Sequence, residues 1–282
     1  MIDQRFSQNL DAFCERFEGK LKRDEIEDFF NPPQVIKCDS KQQNRDPSIY
    51  VMPLTPNDSG MMESYLRIRI QGSEGCSKSN IEFMKYYGGG IRNAEEAQRK
   101  VEIFLSQMWM EKGLPQVLIF LVYDKSKEVD KQGRRQASLI VGIDTNEKKD
   151  GIIRAGTKDE FGNQQENPDF YYICLQQDSR KHLARKGCEQ VIKFLEFLYQ
   201  KQIYAFDGLS ATVHPENHPS EELQKRLGFQ FLGQENRPYL RTECKFRNVY
   251  YLKFNKQTNI KSISEGVDGE QVYDIKDEQS QT

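Results

Sequence analysis

The stretch HPENHPSEELQKRLGF, residues 214–229, spells out a short helix with both of its ends marked. Asn217 or His218 can accept from the first free N–H groups, and Pro219 falls in the first turn, where a missing N–H is harmless. Leu223 and Leu227 share one face, and Gly228 supplies the left-handed residue that ends a helix before Phe229 enters a strand. The run just before it, GLSATV (208–213), is apolar and partly β-branched and reads as a strand. A helix this short, flanked by strands, needs a sheet to pack on.

The same local signals recur outward from this unit. QVLIFLVYD (116–124) and ASLIVGID (137–144) are apolar runs of strand length joined by the charged KSKEVDKQGRR, which predicts a hairpin with a long tip. A weaker strand is expected at 151–155, then a polar loop, the strand FYYICLQ (170–176), and a last strand VYYLKF (249–254). CEQVIKFLEFLYQ (188–200) sets Val191, Ile192, Leu195 and Leu198 on one helical face. In the first half, IYVMPL (49–54) has the pattern of a first strand and TPNDSGMMESYLRIRI (55–70) that of a helix. Asn93, with Glu96 three residues on, opens another helix bearing Ala97, Val101, Phe104, Leu105, Met108 and Trp109, closed by Gly113. Phe6, Leu10, Phe13, Phe17 and Leu21 predict one amphipathic helix within residues 1–30, stopping before Pro32 and Pro33.

This order predicts an α/β (α+β) fold, with one mixed, mostly antiparallel central sheet and helices on both faces. Residues 1–45 read as a helical extension and linker, 46–254 as the main domain, and 255–282 as a polar tail. The 282 residues are 37% hydrophobic and 30% charged, a balance that suits a globular core. A net charge of -2 gives no electrostatic footprint for nucleic acid or an anionic membrane. Six scattered cysteines without a C-x-x-C pair, no secretory leader and no bilayer-length apolar run lead us to expect a cytoplasmic protein with reduced thiols.

A strand ending in ATVHPEN, a short helix and then LGFQFLG resembles the closing segment of the Gcn5-related N-acetyltransferase (GNAT) superfamily, whose members often read V-x-P-x-N-x-x-S, helix, L-G-F. YVMPLTPNDSGMMESYLR (50–67) and EFMKYYGGGIRNAEEAQRKVEIFL (82–105) look like the opening of the branch that acetylates ribosomal-protein N-termini, a branch that also includes acetylases of small amines. The similarity spans roughly residues 49–254. It implies acetyl-CoA as cosubstrate and direct transfer of the acetyl group to a primary amine in a ternary complex. A protein N-terminus is the favoured acceptor, with a small amine or polyamine as the other.

In this family the acyl-CoA site is a strand followed by Q/R-x-x-G-x-G/A at a helix start, where N–H groups and the positive helix end receive the pyrophosphate. The matching piece here is ICLQQDSRKHLARKGCEQVIKF (173–194). Taking Arg180 as the first position puts Leu183 where glycine is usual. Taking Ala184 puts Gly187 there and Glu189 at the later small position. Either register leaves one glycine and four cations, Arg180, Lys181, Arg185 and Lys186, which can hold phosphates by side-chain charge. By the resemblance, Ile173, Cys174 and Leu175 offer backbone groups to the pantetheine arm, and Asn217 bonds the cofactor's amide region or the adjoining backbone. Cys174, mid-strand among apolar neighbours, reads as a small core residue and not as a nucleophile.

Many family members place an acidic tyrosine in the helix after the asparagine, and this chain has Gln224 there. Ser220 matches the N-x-x-S serine to which the ribosomal-protein branch assigns the acid's role toward the departing thiolate. The rival use of its hydroxyl is to bond the helix's own N–H groups. Candidates for a base are Glu160, Asp169, Tyr171 and Glu235. A water chain suffices for an α-amine, whose reference pKa of about 8 lies well below the roughly 10.4 of lysine.

No metal is expected: His182, His214 and His218 lack partners at ligand spacing, and Pro215 separates the last two. The segments 1–30, 125–136 and 156–169 would lie around the acceptor groove by the resemblance. A monomer or homodimer is expected. The poor glycine pattern and Gln224 also admit a second reading, a degenerate GNAT fold that binds coenzyme A or a protein partner without turnover.

Overall fold

The computed structural model describes residues 4–32, 48–56, 58–71, 84–86, 93–110, 115, 117–127, 129, 136–144, 168–175, 178, 182–236 and 246–254. The strand expected at 151–155, Gly113, Glu160, Arg180, Lys181 and the tail from 255 lie outside these residues. In chain order the elements are α1 (Gln4–Glu15), α2 (Arg23–Phe30), β1 (Ile49–Pro53), α3 (Ser59–Arg69) and α4 (Ala94–Leu105), which runs on into a π-helical turn at Ser106–Met110. Then follow β2 (Val117–Asp124), β3 (Leu139–Asp144), β4 (Asp169–Cys174), α5 (Leu183–Gln200), β5 (Gly208–Val213), α6 (His218–Arg226), β6 (Gln230–Asn236) and β7 (Phe246–Lys253).

The strands form one seven-stranded sheet in the order β1-β2-β3-β4-β5-β7-β6. Every neighbouring pair is antiparallel except β4 with β5. The result is a mixed α/β architecture, mostly antiparallel, flanked by helices. β2 is buried along its whole length at the centre of one half, which is why its sequence runs apolar without alternation.

The single helix expected within residues 1–30 is two helices. Glu18 and Gly19 both take left-handed backbone, with φ of 52° and 78°, and this turns α2 back against α1. The reversal brings Phe13 and Phe30 onto one sheet face beside Phe120 of β2 and Phe194 of α5. Phe13 lies 5.9 Å from Phe30, 6.0 Å from Phe120 and 5.9 Å from Phe194 between ring centroids. The segment that reads as an extension is therefore built into the main core.

α5 starts at Leu183, five positions before the expected Cys188, because Leu183 and Gly187 continue its apolar stripe toward the sheet. At Gly187 an added Cβ would come within 2.6 Å of Leu139 Cδ2 and 2.9 Å of Val122 Cγ2. Any side chain here would force Leu139 and Val122 to shift, so glycine suits the close helix–sheet approach. The connection from β4 to α5 is tied down by Asp178, only 1% exposed, whose carboxylate meets Lys127 Nζ at 2.5 Å. Lys127 also donates to Ser138 Oγ at 2.7 Å, so the β2–β3 connection anchors the approach to α5.

Candidate active site

The sheet's one parallel pair opens the site. β4 and β5 are joined at Asp169 and Ser210 alone, where Ser210 N–H donates to the Pro168 carbonyl at 3.0 Å. Among the described residues no further pair joins the two strands, so no ladder holds them together toward their carboxyl ends. In open α/β sheets this is where ligands enter, because connections leave a crevice above the strand ends.

Register with β3 decides which groups of β4 face the opening. Leu175 N–H donates to the Ser138 carbonyl at 2.8 Å. The alternation of an antiparallel ladder then turns the backbone groups of Tyr171, Ile173 and Leu175 toward β3, and those of Tyr172 and Cys174 toward β5. Ile173 and Leu175, expected to serve the pantetheine arm, are thus engaged with β3. The Cys174 carbonyl accepts from Gln71 Nε2 at 2.8 Å. Tyr172, missed from sequence, turns its backbone to the opening. Alternation within FYYICLQ marks two parities, but only the pairing with β3 says which is which.

α5 begins after the carboxyl end of β4. His182 precedes it with φ 55° and provides no side-chain cap, and the first helical bond runs from Lys186 N–H to the His182 carbonyl at 3.1 Å. The positive helix end is left without a side-chain acceptor from its own cap residue. Arg185 and Lys186 stand partly exposed in its first turns, Arg185 drawn to Glu189 at 3.6 Å. Gly187 lies one turn deeper and faces the sheet, as described above.

Across the opening, α6 follows β5. Asn217 is its N-cap, and its side chain accepts from Ser220 N–H at 3.4 Å, so this carbonyl serves the helix. The Ser220 hydroxyl reaches toward β4. It accepts from the Tyr172 phenol at 3.0 Å, linking α6 to the part of β4 that does not pair with β5. Burial pushes the Tyr172 phenol well above the ordinary tyrosine range, and its bond to Ser220 opposes this in part. The phenol is therefore a donor at any working pH.

The base candidates are dispersed. Asp169 and Tyr171 share the sheet face opposite Tyr172, with the Tyr171 ring lying over Gly142. Glu235 is exposed on β6, the last strand of the sheet. His214, just past β5, packs at 4.6 Å against a tilted Tyr86 ring and accepts from Glu216 N–H through Nδ1 at 3.1 Å. Its neutral ring then carries the proton on Nε2. Burial, with Arg247 next, pushes its pKa down and keeps the ring neutral, and the ring's one lone pair is already engaged by Glu216 N–H.

Among the described residues no group of three or more His, Cys, Asp or Glu side chains could hold a metal ion. Cys14, Cys174 and Cys188 are buried free thiols, and burial raises the Cys188 thiol well above its ordinary value.

α6 is held on the sheet by Glu221. Its carboxylate meets His218 Nδ1 at 3.2 Å and accepts from the Tyr250 hydroxyl at 2.9 Å and Asn248 Nδ2 at 2.6 Å. These partners, His218 first, hold the carboxyl below its usual range against the opposing effect of burial. A depressed carboxylate stabilises the fold above its unfolded pKa of about 4.3 and loses that contribution as pH falls through the lower folded value. Melting temperatures of wild type and Glu221→Gln should therefore differ at neutral pH and converge as pH falls below about 4. A gap that stays constant across the acid range would contradict this linkage.

No protein-family model matches the chain, and no curated protein matches it by sequence. Solved structures do resemble it. A ribosomal L7/L12 α-N-protein acetyltransferase, RimL, in complex with coenzyme A aligns over 72% of this chain and 94% of its own at 8% identity and a TM-score of 0.48. RimJ of Mycobacterium smegmatis, in complex with a CoA disulfide, aligns over 74% and 83% at 12% identity and a TM-score of 0.48. The microcin C7 self-immunity acetyltransferase MccE, in complex with acetyl-CoA and AMP, aligns over 79% and 98% at 15% identity and a TM-score of 0.47. At these scores the likeness carries no argument about chemistry, which rests on the site itself.

Proposed function

We propose that the protein is an acetyl-CoA-dependent N-acetyltransferase that moves an acetyl group directly onto a primary amine, a protein N-terminus in preference to a small amine. The observation that carries this is the single-pair junction of β4 and β5. It opens the sheet at the carboxyl ends of two strands, with the α5 N-terminus and Ser220 at the same end.

These features suit an elongated amide with a phosphate at one end and a thioester at the other. The Tyr172 backbone turned to the opening can pair with a pantetheine amide as a further strand would. The start of α5, with Arg185 and Lys186, suits a pyrophosphate by dipole and charge. Ser220 then stands where the thioester would be cleaved. The attacking amine forms the new C–N bond, the C–S bond breaks with its electron pair kept by sulfur, and the amine's proton leaves to solvent. No described carboxylate or imidazole is placed as a base. That favours an α-amine, which is partly neutral near pH 7, over a lysine side chain.

Calorimetric titration with acetyl-CoA tests the reading. Micromolar binding is expected, weakened at least tenfold when Arg180, Lys181, Arg185 and Lys186 are all replaced by Gln, on the order of what losing charge-assisted phosphate contacts costs. Absence of binding at millimolar cofactor would sink it. Binding without turnover on any peptide N-terminus or polyamine would instead favour the non-catalytic module.

A further inference from the structure

We propose that Tyr172 is a positioning residue for the transfer step, acting through Ser220 to present a hydroxyl proton to the sulfur that acyl transfer releases. The inference rests on the acetyltransferase reading and names a residue that the sequence pattern does not assign.

The geometry carries it. Tyr172 sits on β4 beyond the strand's only pairing with β5, and Ser220 in the first turn of α6, so their 3.0 Å hydrogen bond spans the opening. A serine hydroxyl has one proton to give and two lone pairs to receive. The Tyr172 phenol fills one of those lone pairs, and Ser220's own N–H is taken up by Asn217, through its backbone carbonyl at 3.0 Å and its side chain. The serine proton is thereby left to point away from Tyr172, and a hydroxyl that accepts a hydrogen bond is a stronger donor through its own proton. Gln224, in the place where the resembling family often carries its acidic tyrosine, is buried at 2% exposure and does not offer this function to the opening. A tyrosine from β4 acting through a serine on α6 takes over the donor role from a different element.

The chain of two hydroxyls holds its protons. A thiol has a reference pKa of about 8.5 and a phenol about 10, and burial at Tyr172 widens that gap, so proton transfer from Tyr172 to a thiolate runs uphill. What the pair supplies is a charge-assisted hydrogen bond to the leaving sulfur, with the sulfur's electron pair and both hydroxyl protons staying in place. Its benefit is specific to the thiolate and absent for a ligand without sulfur.

Affinities of the full chain for coenzyme A and for desulfo-coenzyme A, measured from about pH 7 to pH 10 across the thiol's titration, separate the possibilities. In wild type, coenzyme A should gain about tenfold over desulfo-coenzyme A as the thiol ionises, the size of one hydrogen bond to a charged group. Tyr172→Phe and Ser220→Ala should each remove most of that gain while keeping desulfo-coenzyme A affinity, and the double variant should lose little more than either single one. Tyr172→Phe that retains the full pH-dependent gain would overturn the proposal, as would equal losses for both ligands, which signal a structural role. A wild type that binds both ligands with no thiolate preference would overturn the proposal and leave the coenzyme site standing. Failure to bind either ligand would overturn the acetyltransferase reading and this inference with it.

Discussion

Deleting residues 1–31 is expected to leave no cooperatively folded protein. Leu10, Phe13, Phe17, Leu21, Ile26 and Phe30 are each 3% exposed or less, and they close one face of the sheet against Phe120 and Phe194. Burying one such side chain is worth roughly 1.5–3 kcal/mol, so the six contribute on the order of 10 kcal/mol before entropy is counted. The freed segment regains conformational entropy, which offsets part of this. The face left behind, however, would carry Phe120 and Phe194 into water. Typical domains have a net stability of about 5–15 kcal/mol, so the loss is comparable to the whole. Thermal melts followed by circular dichroism check this, with Phe13→Ala as a graded companion. That substitution should cost about 3–5 kcal/mol and lower the melting temperature without abolishing the transition. A truncated chain that melts cooperatively at the wild-type temperature would show that α1 and α2 are an appendage after all.

Lys127→Met is expected to cost roughly 3 kcal/mol, because it takes a cation at 2.5 Å from a carboxylate that is almost entirely buried. Lys127 is itself 24% exposed, so the opposite change, Asp178→Asn, should cost less: the ammonium can turn toward water. The double variant should recover part of the Lys127→Met loss, since it removes the buried charge together with the cation that faces it. Denaturant midpoints give the three values. Equal destabilisation in single and double variants would mean that the pair is not energetically coupled. Asp178 lies between β4 and α5, so Lys127→Met should also weaken acetyl-CoA binding if the α5 start receives the phosphates.

The α6 unit was legible almost residue by residue. Asn217, Pro219 and Gly228 carry its boundaries in their own backbone chemistry, and the structure shows the cap at Asn217 and the left-handed Gly228 at φ 87°. The strands at 116–124, 137–144 and 208–213 were equally plain, because a buried strand announces itself in a few consecutive residues. The break at Glu18 and Gly19 was less so. Periodicity continues through it, and only the demand that Phe13 and Phe30 reach one patch makes the turn visible.

Ser220 shows where local reading stops. Its place in the first turn of a helix is written in the residues beside it, whereas its partner lies forty-eight positions upstream and depends on the register of β4. The same holds for Gly187, which reads as a phosphate-loop glycine and is buried against Leu139 and Val122. By itself the sequence determined most of the strands, the caps at Asn93 and Asn217 and the class of mixed sheet, because those follow from contacts within a few residues. Only the tertiary structure decided that one pair joins β4 to β5, that the Tyr172 backbone faces β5, and that Leu10 to Phe30 contribute to the core. Strand parity and helix facing are set by neighbours distant in the chain, and no local pattern encodes which neighbour that will be.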